Sequence, residues 1–527
     1  MLATVETGAL RGVAAWGVIV EVSQTRGLPG VDIVGLPEAA VRESRVRVLA
    51  AIGNSQLILP ERRFIINLAP ADQPKGGASF DLAIAIALIA ESSVCVPDKL
   101  PGLLLLGELS LDGRLRPVRG VLAHLRSARE RGLRMAIIPE ADAAWATLVS
   151  GIDVYVASCL REVVDYLNGT ATLALAACAE WPEVPESAHD LRDVRGQDVA
   201  KRAFEVAAAG WHNLLLVGPP GTGKTMLASR LAGLLPEPSA DEALEIATIA
   251  SVGEVGLPTA RVRRPFRAPH HSCSEAALIG GGQPIRPGEV TLAHRGVLFL
   301  DELPEFKRAA IESLRPTMES GIAMVVRARE RVAMPAKPLI VAAMNPCPCG
   351  YSGDKKRVCR CTLYQIERYR SRISGPLIDR FDIHVQLPPV PINALQQSAS
   401  GETTADVRAR VQVARERAAE RDANAPANGS SLHLLKQLEP DARSLLLRSI
   451  DVLGLSLRAY SKALRVARTI ADLAGADTVL SNHVAEAIQY RLLDREIHAV
   501  QRSAAEESAM CAPNTDSKRK GESPPCP

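Results

Sequence analysis

The chain has 527 residues, of which 47% are hydrophobic and 23% are charged, and its formal net charge is +3. This length is too great for one hydrophobic core and predicts about two to four domains. The nearly balanced charge excludes a polycation, so any contact with nucleic acid must come from local basic patches. Aromatic residues make up 3% of the chain, which argues against a broad platform for stacking single-stranded bases.

The sequence shows neither a membrane span nor a secretory signal. Its longest unbroken apolar run, Leu82 to Ala90, falls far short of the roughly 20 residues that cross a bilayer. The first residues lack a basic start followed by an apolar stretch. We therefore expect a cytoplasmic protein without membrane contact. In such a protein the ten cysteines imply free thiols or a metal site rather than a disulfide framework.

The composition changes several times along the chain. The first segment mixes short apolar strands with Ala-rich helical stretches, and the Pro-rich stretch around Trp181 breaks any regular element. From Asp193 onwards strands and helices alternate, which is typical of a mostly parallel sheet. In chain order, we predict a front domain at 1–170, a linker at 171–192, a core at 193–390, a connecting helix and linker at 391–430, a helical segment at 431–500 and a disordered tail at 501–527.

A glycine-rich loop follows a short apolar run. Leu214–Val217 suits a buried parallel strand, and the next eight residues read GPPGTGKT. Glycines let backbone N–H groups turn towards phosphate oxygens, and the start of the helix that follows carries partial positive charge. Lys224 is expected to reach the β- and γ-phosphates of ATP, and Thr225 to ligate Mg²⁺. The predicted nucleotide-binding residues are Gly218, Pro219, Pro220, Gly221, Thr222, Gly223, Lys224 and Thr225.

Two further strand ends carry polar side chains. Val297–Leu300 is followed by Asp301 and Glu302, and Leu339–Met344 is followed by Asn345. Because α/β sheets bind ligands at the carboxyl ends of their strands, we expect Asp301 to hold Mg²⁺ and Glu302 to polarise the attacking water. Asn345 would position that water beside the γ-phosphate. The structural alternatives are a helix N-cap for Asp301 and a common Asn-Pro turn for Asn345.

Together these motifs resemble those of the AAA+ superfamily. Asp193–Gln197 is similar to the box that contacts adenine. More specific is the run RPFRAPHHSCSEAALIGGG from Arg264, followed by PGEVTLAHRGVLFLDELPEF up to Phe306. It resembles the magnesium-chelatase-like branch, and in particular the bacterial competence proteins of the ComM (YifB) type. The resemblance extends from near residue 1 to about residue 500.

The resemblance implies an α/β fold, a P-loop AAA+ module whose parallel sheet carries helices on both faces and is followed by a helical lid. It also implies ATP-dependent homo-hexamers with ATP bound between subunits, and a helicase that promotes branch migration during natural transformation. Arg380 matches the arginine finger offered to the neighbour's γ-phosphate, with Arg372 as the weaker alternative. Arg458 matches the sensor-2 arginine of related helicases, and Arg465, two turns further on, is its alternative.

Two basic stretches are candidate DNA contacts. Met324–Met334 alternates apolar and basic residues around a turn, a pattern that predicts a hairpin offering Arg327, Arg329 and Arg331 to phosphates. In this branch of the superfamily such insertions are expected to line the pore of the ring. The second stretch comprises Arg261, Arg263, Arg264, Arg267, His270 and His271. The alternative is a solvated hairpin and a salt-bridged surface between subunits.

The front domain resembles the α+β proteolytic (S5-like) domain of Lon-type proteases. Gly107–Val118 and Ile137–Pro139 are similar to strands and turns of that fold, and Ser79 stands where the Lon nucleophile would be. A serine hydroxyl needs a base to become a nucleophile. Here Leu122 occupies the position of the Lon lysine. We therefore expect a protease fold without protease activity.

Two close cysteine pairs follow the third strand. Cys347 and Cys349 are separated from Cys359 and Cys361 by nine residues. Four thiolates within one loop can enclose a tetrahedral Zn²⁺, although Cys-x-Cys is tighter than the commoner Cys-x₂-Cys. Four free thiols in a polar loop are the alternative. Any metal here is expected to be structural, because no open ligand position is implied.

Three functions are compatible with these motifs. The leading hypothesis is an ATP- and Mg²⁺-dependent motor that acts on single-stranded or branched DNA. The second is an ATPase that remodels a protein partner, as the magnesium chelatase ATPase subunit does. The third is an ATP-dependent protease, which the missing lysine opposes. The basic hairpin favours the first, because protein remodelling does not need arginines that face a pore.

Overall fold

The computed structural model describes most of the chain as two compact units. The described residues are 2–93, 99–177, 190–253, 262–327, 330–354, 357–389, 401–423, 434–435, 437–453 and 456–491. Unit 1 comprises Met1–Ala188, Glu237–Phe299 and Ala309–Leu339, and unit 2 comprises His189–Pro236, Leu300–Arg308 and Ile340–Pro527. The predicted tail at 501–527 and much of the two predicted linkers lie outside the described residues. The sequence-based domain limits remain a prediction.

Strands and helices are mixed along the chain. The strands are β1 (Leu2–Arg11), β2 (Ala14–Thr25), β3 (Gly30–Val34), β4 (Arg63–Ala69), β5 (Leu103–Leu105), β6 (Glu108–Leu109), β7 (Leu115–Arg116), β8 (Met135–Pro139), β9 (Asp153–Ala157), β10 (Ala174–Leu175), β11 (Leu214–Val217), β12 (Phe266–Arg267), β13 (Gly280–Gly281), β14 (Arg286–Pro287), β15 (Val297–Leu300), β16 (Ile322–Arg327), β17 (Glu330–Pro335), β18 (Leu339–Met344) and β19 (Ile383–Gln386).

The α-helices show the same mixture. They are α1 (Ala39–Asn54), α2 (Asp81–Glu91), α3 (Val121–Glu130), α4 (Ala143–Ala146), α5 (Leu160–Leu167), α6 (Asp198–Gly210), α7 (Lys224–Leu234), α8 (Ala240–Gly253), α9 (Glu275–Ile279), α10 (Glu289–Leu292), α11 (Arg308–Glu312), α12 (Leu314–Ser320), α13 (Leu363–Arg370), α14 (Gly375–Ile378), α15 (Thr404–Ala423), α16 (Pro440–Leu453), α17 (Leu457–Leu473) and α18 (Ser481–Gln489). In the described part of the chain, none of the helices combines the length and apolarity required to cross a membrane.

The front of unit 1 is built on a mixed eight-stranded sheet, in the order β10-β9-β8-β5-β1-β2-β4-β3. Strands β1 and β2 form a long antiparallel pair, from Leu2 opposite Ser23 to Arg11 opposite Ala14, whereas β5, β8 and β9 join in parallel. Helix α2 packs against this sheet, and every one of its residues is buried, which explains the long apolar run of the sequence. The mixed sheet with its helices confirms the α+β class expected for the front domain.

A hairpin belongs to the same unit. Strands β16 and β17 pair antiparallel, from Ile322 opposite Pro335 to Arg327 opposite Glu330, which confirms the predicted hairpin. The turn between β1 and β2 contacts it, because Nη2 of Arg11 donates to the carbonyl of Arg331 at 3.3 Å. Gly12 has a φ of +61°, and a Cβ there would lie 2.6 Å from Cγ1 of Val332. A larger residue at this turn would therefore displace the hairpin.

Unit 2 contains a parallel group of three strands. Strand β11 lies between β18 and β19, with Leu214 opposite Val341 on one side and Ile383 on the other. All residues of β11 and β18 are buried, as the apolar runs predicted. These strands confirm the predicted α/β class of the core. Buried strands of this kind place the loops at their carboxyl ends close together.

Asn213 lies at the amino end of this three-stranded group and bonds to both neighbouring strands. Its Oδ1 accepts a hydrogen bond from the backbone of Ile340 at 2.9 Å. Its backbone N–H donates to a carboxylate oxygen of Asp382 at 3.0 Å, and its carbonyl accepts from Ile383 at 3.1 Å. One residue thus sets the amino ends of three strands.

The C-terminal helices of unit 2 form the predicted helical segment. On α17 the apolar residues that recur at helical spacing are all buried, namely Ala459, Leu464, Val466, Ala467 and Ile470. Helix α15 runs from Thr404 to Ala423, inside the segment 391–430 for which the sequence predicts a connecting helix and linker.

Candidate active site

The glycine-rich loop connects β11 to α7. Gly221 and Gly223 have φ values of +79° and +86°, a conformation that L side chains rarely adopt. Gly223 is the residue before α7, and Oγ1 of Thr222 donates to the carbonyl of Pro219 at 2.9 Å, which holds the turn. The loop therefore presents backbone N–H groups at the start of an eleven-residue helix, which fits a phosphate group.

Lys224 is half-buried and surrounded by oxygen atoms. Its Nζ donates to the carbonyls of Gly218 at 2.8 Å and Pro219 at 3.0 Å, and to Oδ1 of Asn345 at 3.0 Å. Burial lowers the pKa of Lys224, and the charge of Asp301 opposes that change. The structure thus brings the lysine of the loop and the predicted water-positioning asparagine into direct contact.

Thr225 and Asp301 form a second contact between predicted residues. Oγ1 of Thr225 donates to Oδ2 of Asp301 at 2.8 Å, and the other carboxylate oxygen of Asp301 accepts from the backbone of Glu302 at 3.0 Å. A hydroxyl and a carboxylate are ligands that Mg²⁺ accepts in nucleotide sites. The observed pair therefore fits the metal that the sequence motif implies.

Glu302 has an unusual backbone conformation. Its φ is +53°, which is uncommon for a residue other than glycine. It is exposed and lies two residues after the end of β15, directly before the 3₁₀ turn Leu303–Glu305. Strained residues of this kind occur often at functional sites. The position of Glu302 beside Asp301 is compatible with a role in proton transfer.

Two residues after Asn345 contact the region of the site, and the sequence motifs identified Arg372 but not Tyr369. Burial raises the pKa of Tyr369 to about 12, and the backbone of Asn345 bonds to its hydroxyl. Nη1 of Arg372, the alternative finger, lies 2.8 Å from a carboxylate oxygen of Glu305 in the same chain. Tyr369 is isolated in the sequence, so no spacing pattern indicated it.

Arg380 lies at the opposite edge of the strands from the phosphate loop. Its carbonyl accepts from Nδ2 of Asn213 at 3.4 Å, and it precedes β19, which runs parallel to β11. The four residues of β11 span about 13 Å at roughly 3.3 Å per residue. This placement separates Arg380 from the loop of its own chain.

The two candidate sensor arginines differ in their surroundings. Arg458 is exposed near the start of α17. Two turns later, Nη2 of Arg465 lies 3.8 Å from a carboxylate oxygen of Asp382. Asp382 is buried and also contacts Nζ of Lys462 at 3.2 Å. Arg465 thus has an ion-pair partner at the amino edge of the strands.

The four cysteines of the loop after β18 come together. We call Cys347, Cys349, Cys359 and Cys361 the four-cysteine cluster; their sulfur atoms all lie within 4.8 Å of one another. Backbone hydrogen bonds from Tyr351 and Arg360 lower the pKa of Cys349 to about 6. A group of four sulfur ligands so close together is able to hold a metal ion.

The basic stretches differ in how far their charges are paired. Arg327 and Arg331 are exposed on the hairpin, whereas Arg329 and Arg261 lie outside the described residues. In the second stretch, Arg264 lies 2.7 Å from Glu242 and Arg267 lies 2.8 Å from Glu289. These two arginines are therefore paired within the chain, whereas the alternative given for that stretch is a salt-bridged surface between subunits.

In the front domain the hydroxyl of Ser79 lies next to a backbone carbonyl. Oγ of Ser79 donates to the carbonyl of Gly8 at 3.5 Å, and Leu122 is fully buried. His124 also packs near Gly8, because a Cβ placed on Gly8 would lie 2.4 Å from Nδ1 of His124. Burial lowers the pKa of His124 to about 3, so its ring is neutral at ordinary pH.

Comparison with known families gives three matches along the chain. Residues 20–142 match the family described as subunit ChlI of Mg-chelatase. Residues 190–395 match magnesium chelatase, subunit ChlI, and residues 401–491 match the C-terminal part of that subunit. The first match covers much of the front domain and the second covers the phosphate loop, the strand ends and the four-cysteine cluster.

Two individual relatives match nearly the whole chain, and a third matches part of it. The uncharacterized protein YifB of Salmonella typhimurium is 45% identical over 511 residues, covering 96% of this chain and 100% of YifB. Competence protein ComM of Haemophilus influenzae is 45% identical over 507 residues, covering 94% of this chain and 98% of ComM. The magnesium-chelatase 67 kDa subunit of Chlorobaculum parvum is 27% identical over 158 residues, which are 29% of this chain and 23% of that subunit.

Proposed function

We propose that this chain, which belongs to the magnesium-chelatase-like family that includes YifB and ComM, is an ATP-driven motor that acts on DNA. The family match confirms the resemblance that the motifs indicated, and it makes the chain an AAA+-type ATPase. The observation that carries the proposal is the convergence of Lys224 with Asn345 and of Thr225 with Asp301 at one edge of the strands. We place the motor in the cytoplasm, where ATP and DNA are both accessible.

Each residue of the site has a proposed task. Lys224 exchanges its carbonyl partners for phosphate oxygens of ATP, because an ammonium group binds an anion more strongly than a neutral carbonyl. Thr225 and Asp301 hold Mg²⁺, which neutralises charge on the phosphates when it is bound. The carboxylate of Glu302 accepts a proton from the attacking water, and the amide of Asn345 orients that water.

We further propose that ATP is hydrolysed between subunits of a homo-hexamer. The placement of Arg380 at the far edge of the strands supports a role towards a neighbouring subunit, because its own phosphate loop is at the other edge. Arg458 completes the site as the sensor-2 arginine; its exposure and the ion pair of Arg465 favour it over that alternative. An arginine that a neighbouring subunit supplies, as proposed for Arg380, stabilises charge on the transferred phosphoryl group.

We propose that the motor moves along DNA and that the process is branch migration during natural transformation. Arg327 and Arg331 support it because both are exposed on one hairpin, and Arg329 of the same turn adds a third positive charge in the sequence. The name of the Haemophilus influenzae relative, competence protein ComM, supports the process.

The proposal also includes a structural Zn²⁺ in the four-cysteine cluster. Thiolate ligands favour zinc over magnesium or calcium. Four protein ligands leave no open position for substrate, so the ion would not take part in hydrolysis directly.

An ATPase assay with different DNA structures tests the main proposal. Purified protein should hydrolyse ATP faster with branched DNA than with duplex or single-stranded DNA of equal length. Lys224→Ala should remove the activity in every case, and serves as the control for contaminating ATPases. The second candidate, an ATPase that remodels a protein, is favoured by the partial match to the Chlorobaculum parvum chelatase subunit. Hydrolysis that is indifferent to all three DNA structures would support that candidate instead.

A further inference from the structure

The four-cysteine cluster has the dimensions of a single tetrahedral metal site. Sγ of Cys347 lies 3.4 Å from Sγ of Cys349 and 3.7 Å from Sγ of Cys359. The sulfur atoms of Cys349 and Cys359 are 3.5 Å apart. A tetrahedron with zinc–sulfur bonds of about 2.3 Å has edges of about 3.8 Å. A disulfide would bring two sulfur atoms to about 2.05 Å. An iron–sulfur cluster would hold the four thiolates farther apart, because several atoms lie between them.

Backbone groups around the sulfur atoms complete this geometry. The N–H of Ser352 donates to Sγ of Cys347 at 3.3 Å, and the N–H of Gly350 donates to the carbonyl of Cys347 at 2.9 Å, which closes a tight turn between the ligands. Hydrogen bonds of this kind orient metal ligands and reduce the repulsion between thiolates. The backbone of the loop therefore orients the cysteine sulfur atoms as metal ligands.

The same loop touches the phosphate loop directly. Gly350 has a φ of +84°, and a Cβ placed on it would lie 2.5 Å from Cδ and 2.7 Å from Cγ of Pro220. Pro220 is the third residue of the loop GPPGTGKT. Gly350 lies one residue after Cys349, so the position of the cluster and the position of Pro220 are linked through a single peptide.

The two ends of the segment are also tied to the site. At its start, Cys347 follows Asn345 by two residues, and Asn345 contacts Nζ of Lys224. At its end, Thr362 caps α13 with its side chain, and Nε of Arg370 at the end of that helix donates to the carbonyl of Pro346 at 3.2 Å. The segment from Asn345 to Arg370 thus returns to the strand from which it starts.

We infer that a Zn²⁺ ion in the four-cysteine cluster controls ATP binding by fixing Gly350 against Pro220 and Asn345 against Lys224. This inference rests on the proposed zinc and ATP sites and goes beyond them, because it makes occupancy of a non-catalytic metal site a condition for a well-formed phosphate loop. Without the ion the four sulfur atoms are no longer held together, so Gly350 and Asn345 lose their fixed positions beside the phosphate loop.

Two measurements on the full chain test the inference without DNA. The first is the metal content of the purified protein by elemental analysis, for which one zinc per chain is expected. The second is the ATP affinity after zinc is removed with a chelator under reducing conditions, which should fall about tenfold, within the usual range of coupling between sites. Adding Zn²⁺ chloride back should restore it, whereas Mg²⁺ alone should not.

A matched pair of glycine variants separates the contact from the metal. Gly350→Ala forces a methyl group towards Pro220 and leaves all four thiols, so zinc content should be unchanged and ATP affinity should fall about tenfold. Gly353→Ala is the control, because Gly353 has a similar φ of +80° but a Cβ there meets nothing within 4 Å. It should keep both zinc and ATP affinity.

The outcomes distinguish the two levels of the proposal. Protein that carries no metal, or carries iron in place of zinc, overturns the zinc assignment and with it the inference. Protein that binds zinc but keeps its ATP affinity after chelation, or in the Gly350→Ala variant, overturns the coupling and leaves the zinc assignment standing. Because ATP affinity is measured without DNA, neither result depends on whether the motor acts on DNA. Circular dichroism of each variant and of the chelated protein excludes unfolding as the cause of a lost affinity.

Discussion

Oγ1 of Thr225 and Oδ2 of Asp301 are 2.8 Å apart, although the two residues are separated by 76 positions in the chain. The contact joins the first turn of α7 to the end of β15 and so brings the phosphate loop beside Glu302. The proposed chemistry depends on this proximity, because a general base acts only within hydrogen-bond reach of the water it activates.

Replacing Glu302 by Gln should separate ATP binding from hydrolysis. The amide keeps the size of the side chain but cannot accept the proton, so kcat should fall by about 10²- to 10⁴-fold while ATP affinity changes little. Steady-state hydrolysis and equilibrium nucleotide binding measure the two effects. Glu305→Gln is the control, because Glu305 is three residues away and pairs with Arg372. An active Glu302→Gln protein would remove the assigned role.

Arg380 should act on a neighbouring subunit rather than on its own. Arg380→Ala should lower hydrolysis by about 10³-fold or more and leave ATP binding intact. Mixing it with Glu302→Gln should restore part of the activity, because some interfaces then combine an intact Glu302 with an intact Arg380. Size-exclusion chromatography with ATP would verify that mixed rings form. Mixed rings without any recovered hydrolysis would contradict a role in trans.

The hairpin arginines should carry part of the salt dependence of DNA binding. Each phosphate contact contributes a slope of about 0.9 to the fall of log affinity with log salt for duplex DNA. Replacing Arg327 and Arg331 together by Ala should therefore flatten the slope by about two units. Arg114→Ala is the control, because its side chain is 80% exposed on the front domain. If the double variant binds DNA with the parental slope, the contact lies elsewhere.

Burial of His124 should make the protein less stable in acid. Its folded pKa is about 3, below the value near 6.5 of an unfolded histidine. Between these values the unfolded chain binds one proton more, so stability falls as the pH falls through this window. His124→Gln removes this contribution, and its free energy of unfolding should depend less on pH, by about 1.4 kcal/mol per unit between roughly pH 4 and 6.

Denaturant unfolding at several pH values measures this difference. His270→Gln is the control for the substitution itself, because His270 is exposed. Asp81 and Asp142, whose pKa values burial raises to about 6, act in the opposite direction. The comparison must therefore be made between variants rather than from the parent curve. Equal pH dependence in His124→Gln and the parent would show that His124 does not titrate as described.

The front domain should not degrade protein. Ser79 bonds to a backbone carbonyl, and a buried leucine occupies position 122. With ATP present, unfolded casein should remain intact on electrophoresis for hours, while an ATP-dependent protease digests it in parallel. Cleavage that disappears in Ser79→Ala would revive the protease hypothesis.

The sequence predicted the strands of the site well, and for a clear reason. Leu214–Val217, Val297–Leu300 and Leu339–Met344 have the limits that their apolar runs indicate, because strands buried on both faces carry no polar residues inside. The polar residues immediately after these strands were identified by the same rule. Local patterns were thus sufficient for the centre of the site.

Contacts between distant segments could not be found in this way. Nothing in the sequence pairs Gly350 with Pro220, since the contact depends on how two loops meet in space. The ion pairs of Arg264 with Glu242 and Arg267 with Glu289 likewise depend on packing, so a run of positive charge was taken as a candidate DNA surface. Unit 1 also unites residues 237–299 and 309–339 with the front residues, a grouping that no composition change marks.

Asn213 aligns the three parallel strands at their amino ends, opposite the phosphate loop. Its hydrogen bonds set the register of β18 and β19 relative to β11. The strands keep this register to their carboxyl ends, where Val217 lies opposite Met344 and Gln386. The relative heights of Gly218 and Asn345 are therefore decided five residues earlier, by a residue at the opposite end of the strands from the phosphate loop. Substitutions at the amino ends of these strands should therefore alter ATP hydrolysis, although they lie far from the nucleotide. A mutagenesis screen limited to residues near the nucleotide would miss them.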